Sequence, residues 1–205
     1  MNVAIRAGDS EEDRSKGHSL MMNPEVRALQ EKYVDYAEIY REILIEVLHG
    51  SAKRRDLAAT VLAYASDKKA IVPHLQAAVR DPDNEVRNNA TRALGLIAQY
   101  ATEHPELDIE IGAAVFVNML NSVDFGARNK ASLVLFPLTD SRDPTLIKQI
   151  RAKGLLSLIE MCRWTWEGHS WVPCKILDRV VGLPEQVELH PKDVIIAAAL
   201  ELMQP

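Results

Sequence analysis

Three stretches of the chain carry one spacing. Arg87-x-x-Ala90-x-x-Ala93-Leu94 recurs as Arg55-x-x-Ala58-x-x-Val61-Leu62 and as Arg128-x-x-Ala131-x-x-Val134-Leu135. A fourth copy, Cys174-x-x-Leu177-x-x-Val180-Val181, keeps the apolar positions and lacks the arginine. Residues three and four apart share one face of an α-helix, so each copy specifies an apolar stripe beside a polar position. One copy alone constrains little, because arginine, alanine and leucine are common in any helix. Several in order, at steps of 32, 41 and 46 residues, specify a stack of two-helix units joined by loops of varied length.

The copy at Asp81 to Ile97 is the best defined. Pro82 fixes its own φ and biases Asp81 away from helix, so the preceding helix should stop near Arg80. Asn84 is the expected N-cap of the next helix. Val86, Ala90, Ala93, Leu94, Ile97 and Ala98 then fall on one face, and the small Ala90 and Ala93 let neighbouring helices approach closely.

Asp81-Pro82-Asp83-Asn84-Glu85-Val86-Arg87 closely resembles the intra-repeat turn of HEAT repeats. Asn129-Lys130-Ala131 and Ala152-Lys153-Gly154-Leu155-Leu156 look closer to armadillo repeats. The resemblance covers roughly residues 51 to 182. It implies an all-α fold, an α-solenoid (alpha-alpha superhelix) of about four HEAT/armadillo-like helical pairs. It also implies an inter-repeat polar ladder that gives Asp81, Arg55, Arg87 and Arg128 structural roles, although no clear aspartate counterpart precedes Arg55.

Other segments fit around this array. Residues 1–22 are rich in Gly, Ser and charge and are expected to be disordered, with a helical repeat domain over 23–205. Asn23-Pro24 starts a helix that should run to His49 and stop at Gly50. Tyr33, Tyr36 and Tyr40 could line a ligand groove at that spacing, but core packing is the expected role. Ser51 should cap the first motif helix, ending near Ala65, and Asp67 the next, which Pro73 should bend. The sequon Asn89-Ala90-Thr91 is read as accidental, because Ala90 faces a helix contact. Residues 102–112 form an inserted loop. Helices follow from about Ala113 to Ser122, from a corner at Asp124-Phe125-Gly126 to Leu138, from Asp143-Pro144 to Gly154, and from Leu155 to Trp166.

Chemistry-bearing residues concentrate between Cys162 and Cys174, which hold all three tryptophans and both cysteines. Cys162, His169 and Cys174 offer three possible metal ligands, but the spacing matches no established pattern and a fourth ligand is missing. A Cys–His nucleophile lacks an orienting third group. Both cysteines are therefore expected to be reduced core residues, with the tryptophans capping the last repeat or anchoring a partner.

Two function classes follow. The first is a non-enzymatic protein-interaction scaffold that binds another protein or peptide on the surface of the second helices. There Asp56, Asn88 and Asn129 follow the motif arginines, Thr60, Arg92 and Leu133 lie one turn on, and Trp166 and Trp171 end the ridge. The second is a HEAT-like DNA repair glycosylase, for which Arg163, Trp164, Trp166, Trp171 and Asp178 supply the residue types. A bilin-lyase-like role is suggested by the repeat type alone. A net charge of −5 speaks against dedicated nucleic-acid binding. The longest apolar run, Val194 to Leu200, is too short to span a bilayer. No cofactor or metal is called for. A cytoplasmic protein is expected, or an exported one if the chain belongs to a longer precursor. Oligomeric state is not legible.

Overall fold

Helix starts in this chain are set by side-chain oxygens. Asn23, Asp67 and Asp143 open their helices as expected, and Asp124, expected only as part of a corner, does the same; each accepts a hydrogen bond from the amide three residues on. One cap lies a residue earlier than expected: Asp83, not Asn84, accepts the Glu85 amide. Nor does Ser51 cap the first motif helix, which starts later, after Arg54 takes up the left-handed conformation.

The structure, a computed structural model, describes residues 11–184 and 189–204. It divides into two units, Met1–Ile111 and Gly112–Pro205. In the first, a hairpin of β1 (Glu12–Asp13) and β2 (Leu20–Met21) precedes α1 (Pro24–Ile39), α2 (Arg41–His49), α3 (Arg55–Leu62), α4 (Lys68–Ala78) and α5 (Asn84–Glu103). The helix expected over 23–49 breaks at Tyr40. Pro73 sits inside α4 without ending it.

The motif helices are α3 and α5. Each packs on its preceding partner, α2 or α4, and the two also pack on each other. Their stripes make the core: Ala58, Val61, Leu62, Val86, Ala90, Ala93, Leu94 and Ile97 are all buried. One rung of the expected polar ladder is present. Arg55 grips Asp81 through two hydrogen bonds of 3.1 and 2.9 Å. Arg87 donates to the Asp81 and Pro82 carbonyls, tying the turn to its own helix.

The disorder expected for residues 1–22 fails for the described part, 11–22; residues 1–10 lie outside the described residues. Composition averaged over the segment hides its end, where His18, Ser19, Leu20 and Met21 are buried. Gly17, at φ +67°, turns the chain where any side chain would be strained. Gln30 of α1 then accepts the Met21 amide at 2.8 Å and holds β2 on the helix.

The second unit comprises α6 (Ala114–Met119), α7 (Phe125–Leu138), α8 (Pro144–Lys153), α9 (Leu155–Cys162), α10 (Glu167–Val181) and α11 (Lys192–Glu201). Here α6 and α7 form a pair, α8 to α10 form a three-helix unit, and α11 packs on α9 and α10. Gly154 separates α8 from α9, its hydrogen in close contact with Leu120, where a Cβ would lie 2.8 Å away. Arg128 forks onto Glu160 at 2.9 and 3.1 Å. The fourth motif copy lies on α10, which packs on α7.

The expectation of two reduced cysteines is overturned, because Cys162 and Cys174 form a disulfide. The bond clips the end of α9 to the middle of α10, and both residues are fully buried. Twelve residues of separation concealed this proximity. Only the reversal between two packed helices brings the Cα atoms to 4.7 Å.

Candidate functional site

In the first unit the predicted ridge residues gather on α3 and α5. Thr60 donates to the Asp56 carbonyl at 3.0 Å, and Asn89 of α5 reaches the same oxygen at 3.0 Å. That shared carbonyl locks the two motif helices in register. Asn88 is half-buried beside Asn89. Arg92 is exposed but not free, since its guanidinium meets Glu12 of the hairpin at 3.0 Å. The hairpin therefore lies against the part of the ridge that contains Arg92.

Between the hairpin, α1 and the motif helices lies a cavity of about 250 Å³, with Thr60 and Arg92 in its wall. Sequence reasoning missed its other polar members, His18, Ser19, Gln30, Tyr64 and Asn89. The tyrosine stripe was the available signal. Tyr33 lines this cavity and meets Tyr64 edge-on at 5.6 Å, whereas Tyr36 and Tyr40 are exposed. Core packing, expected for all three, therefore fails for Tyr36 and Tyr40, because the break at Tyr40 and the packing of α1 turn them to solvent.

Behind the cavity wall, Lys68 is buried and donates to the Ala63 carbonyl at 2.7 Å and to His18 Nδ1 at 3.1 Å. Burial pushes Lys68 down to about 7. His18 is pushed down to about 4, by burial first and then by the Lys68 charge. A neutral imidazole accepting at Nδ1 carries its proton on Nε2.

In the second unit, Asn129 and Leu133 sit on α7, the first half-buried and the second exposed. Trp171 of α10 packs edge-on against Phe136 of α7 at 5.5 Å and keeps an exposed face. Trp166, at the start of α10, is 66% exposed. It stands edge-on to His169 at 4.1 Å, and Phe125 sits 4.9 Å from Trp164 and 5.0 Å from His169. Arg128 lies over the Trp164 ring at 5.5 Å. The tryptophans thus join an aromatic surface cluster that includes Phe125, a residue sequence reasoning treated only as part of a turn.

The metal and nucleophile arrangements do not form here, since both sulfurs are consumed in the disulfide. Asp178, the acid the glycosylase reading needs, is buried and held by His190 at 3.0 and 3.1 Å. Among the described residues, no group of three or more His, Cys, Asp and Glu could hold a metal ion. No helix of the described residues is long and apolar enough to cross a membrane.

Stacked helix pairs with motif helices side by side define an α-solenoid of the HEAT/armadillo type. Residues 41–109, from α2 past the end of α5, match the family model described as HEAT repeats. No curated protein matches the chain. Among solved structures, an engineered protein determined as a structural-genomics target is similar at 23% identity and a TM-score of 0.55, covering 89% of this chain and 81% of its own. A designed armadillo repeat protein aligns at 14% identity and a TM-score of 0.54, over 89% and 95% of the two chains. Another, in complex with the peptide (KR)4, aligns at 13% identity and a TM-score of 0.51, over 89% and 96%. At these identities the likeness is one of fold.

Proposed function

We propose that the chain is a non-enzymatic scaffold that binds another protein or peptide on the surface of its motif helices. The observation that carries this reading is the direct packing of α3 on α5 and of α7 on α10. Each unit thereby sets its motif helices side by side, the arrangement from which helical repeats build extended binding surfaces. In the second unit that surface offers exposed Leu133, Trp166 and Trp171, and buried-edge tryptophans are common anchors of protein interfaces. In the first it offers Asp56, Thr60, Asn88 and Arg92. The designed armadillo repeat protein solved with (KR)4 supports a peptide-like partner for a fold of this kind.

The test compares capture of the native partner by the parent and by two variants, Asn88→Glu/Arg92→Glu and Trp166→Ala. Each should weaken capture about tenfold or more, about 1.4 kcal/mol. The melting temperature should hardly move, since the Arg92–Glu12 pair is partly exposed and such pairs contribute little. Unimpaired capture by folded variants would move the binding surface to other helices or to the 102–112 loop.

A further inference from the structure

We propose that the cavity of the first unit binds a small organic carboxylate with a compact apolar body. This inference shares Arg92 and Thr60 with the scaffold reading but does not depend on it, and it rests on which polar groups around the cavity are committed and which are not.

Most are committed. Gln30 accepts the Met21 amide and donates to the Ser19 carbonyl at 3.2 Å and to the Tyr64 hydroxyl at 3.1 Å. Tyr64 donates in turn to the Ser19 carbonyl at 3.0 Å. Thr60 and Asn89 both spend a donor on the Asp56 carbonyl. These bonds hold the walls rigid and leave the shape of the cavity well defined.

Besides the half-buried Tyr33, three groups are left over. Ser19 is 5% exposed, lines the cavity, and its hydroxyl has no hydrogen-bond partner. Native proteins rarely bury a hydroxyl in that state unless something outside the chain completes it. His18 accepts from Lys68 at Nδ1 and so keeps a proton to donate at Nε2. Arg92 spends one contact on Glu12, whose other oxygen binds Arg14, and a guanidinium has five donors. All three can donate to a ligand oxygen.

The charge balance points the same way. Arg92 is the charged side chain in the cavity wall, and Glu12 bridges it to Arg14. An acceptor with a negative charge is therefore favoured. Around these donors the wall is apolar, formed by Val26, Ala63, Ala93 and Leu96. A single guanidinium in such a wall suits one carboxylate better than a dianionic phosphate, whose second charge would go unmatched. A volume of about 250 Å³ has room for a ligand of benzoate's size with space to spare.

Calorimetric titration of the purified chain with benzoate, and with the neutral isostere benzamide, tests the assignment. Benzoate should bind with a Kd of about 1 mM or tighter, within reach of a ligand of this size. Benzamide should bind about tenfold more weakly. Arg92→Gln should weaken benzoate about tenfold and Ser19→Ala about threefold, both with unchanged melting temperature. Glu12→Gln should tighten it a few-fold by removing the carboxylate that competes for Arg92. N-acetylphenylalanine distinguishes the source: binding tighter than benzoate assigns the carboxylate to a peptide C-terminus, weaker binding to a free small acid. No saturable binding, equal binding of benzamide, or full benzoate affinity in Arg92→Gln would show a cavity that holds water only and overturn the proposal.

Discussion

Ala90 shows how one residue type can decide a contact. Its side chain is fully buried where α5 meets its neighbours, and no larger residue fits without moving a helix. Ala90→Leu should cost on the order of 1–3 kcal/mol in a denaturant melt. Asn88→Ala, two residues away and only half-buried, should stay within about 0.5 kcal/mol. Equal effects would mean that the assigned face is wrong. Lys68 and His18 make the stability of the first unit depend on pH. Each has a folded pKa below its ordinary value, about 7 against 10.5 and about 4 against 6.5. Between those limits the unfolded chain binds a proton that the folded chain does not, so stability rises with pH and falls as the pH drops through each window. Urea melts should show the parent more stable at pH 9.5 than at pH 7.5, and Lys68→Met should reduce that difference. A parent equally stable at both would refute the burial of an uncompensated lysine.

Among the elements, α9 and α10 are joined covalently as well as by packing. The disulfide closes a short loop that carries Trp164, Trp166 and His169, and so holds the aromatic cluster on a constrained segment. Removing such a cross-link costs about 2–4 kcal/mol, mainly by freeing the unfolded chain. Cys162→Ser/Cys174→Ser should therefore lower stability by that amount, and thiol titration of the denatured, unreduced parent should find almost no free sulfhydryl. Two titratable thiols per chain would refute the bond. Disulfides persist chiefly in oxidising compartments, so the expectation of a cytoplasmic chain and this bond pull in opposite directions. The hairpin is the other element that changes the reading of the surface. It contributes Glu12 to Arg92 and His18 and Ser19 to the cavity wall, and a composition average over residues 1–22 carries no trace of either role.

At the scale of the molecule, nearly all regular structure among the described residues is helical, and the hairpin contributes strands of two residues each. Far-UV circular dichroism should accordingly show strong helical minima, with fitted strand content far below about a fifth, the share common in mixed domains. A larger strand fraction would contradict the stacked-helix architecture. Each unit is built from local helix pairs plus the packing of motif helices on each other, so its core grows pair by pair rather than around one centre.

The sequence by itself determined the repeat, most of the helices and several of their starts. Asn23, Asp67, Asp124 and Asp143 act on amides three residues away, and the stripe of Ala90, Ala93 and Leu94 acts within two turns. Such short-range rules are written in spacing alone. The resemblance to HEAT repeats implied structural roles for Arg55 and Asp81, and the structure pairs the two. The tertiary structure alone decided the rest. Pairing Cys162 with Cys174, bringing Glu12 to Arg92, and leaving Ser19 without a partner each depend on how separate segments pack. No local pattern encodes that arrangement, because the free energy of a long-range contact is set by every residue that brings its two ends together.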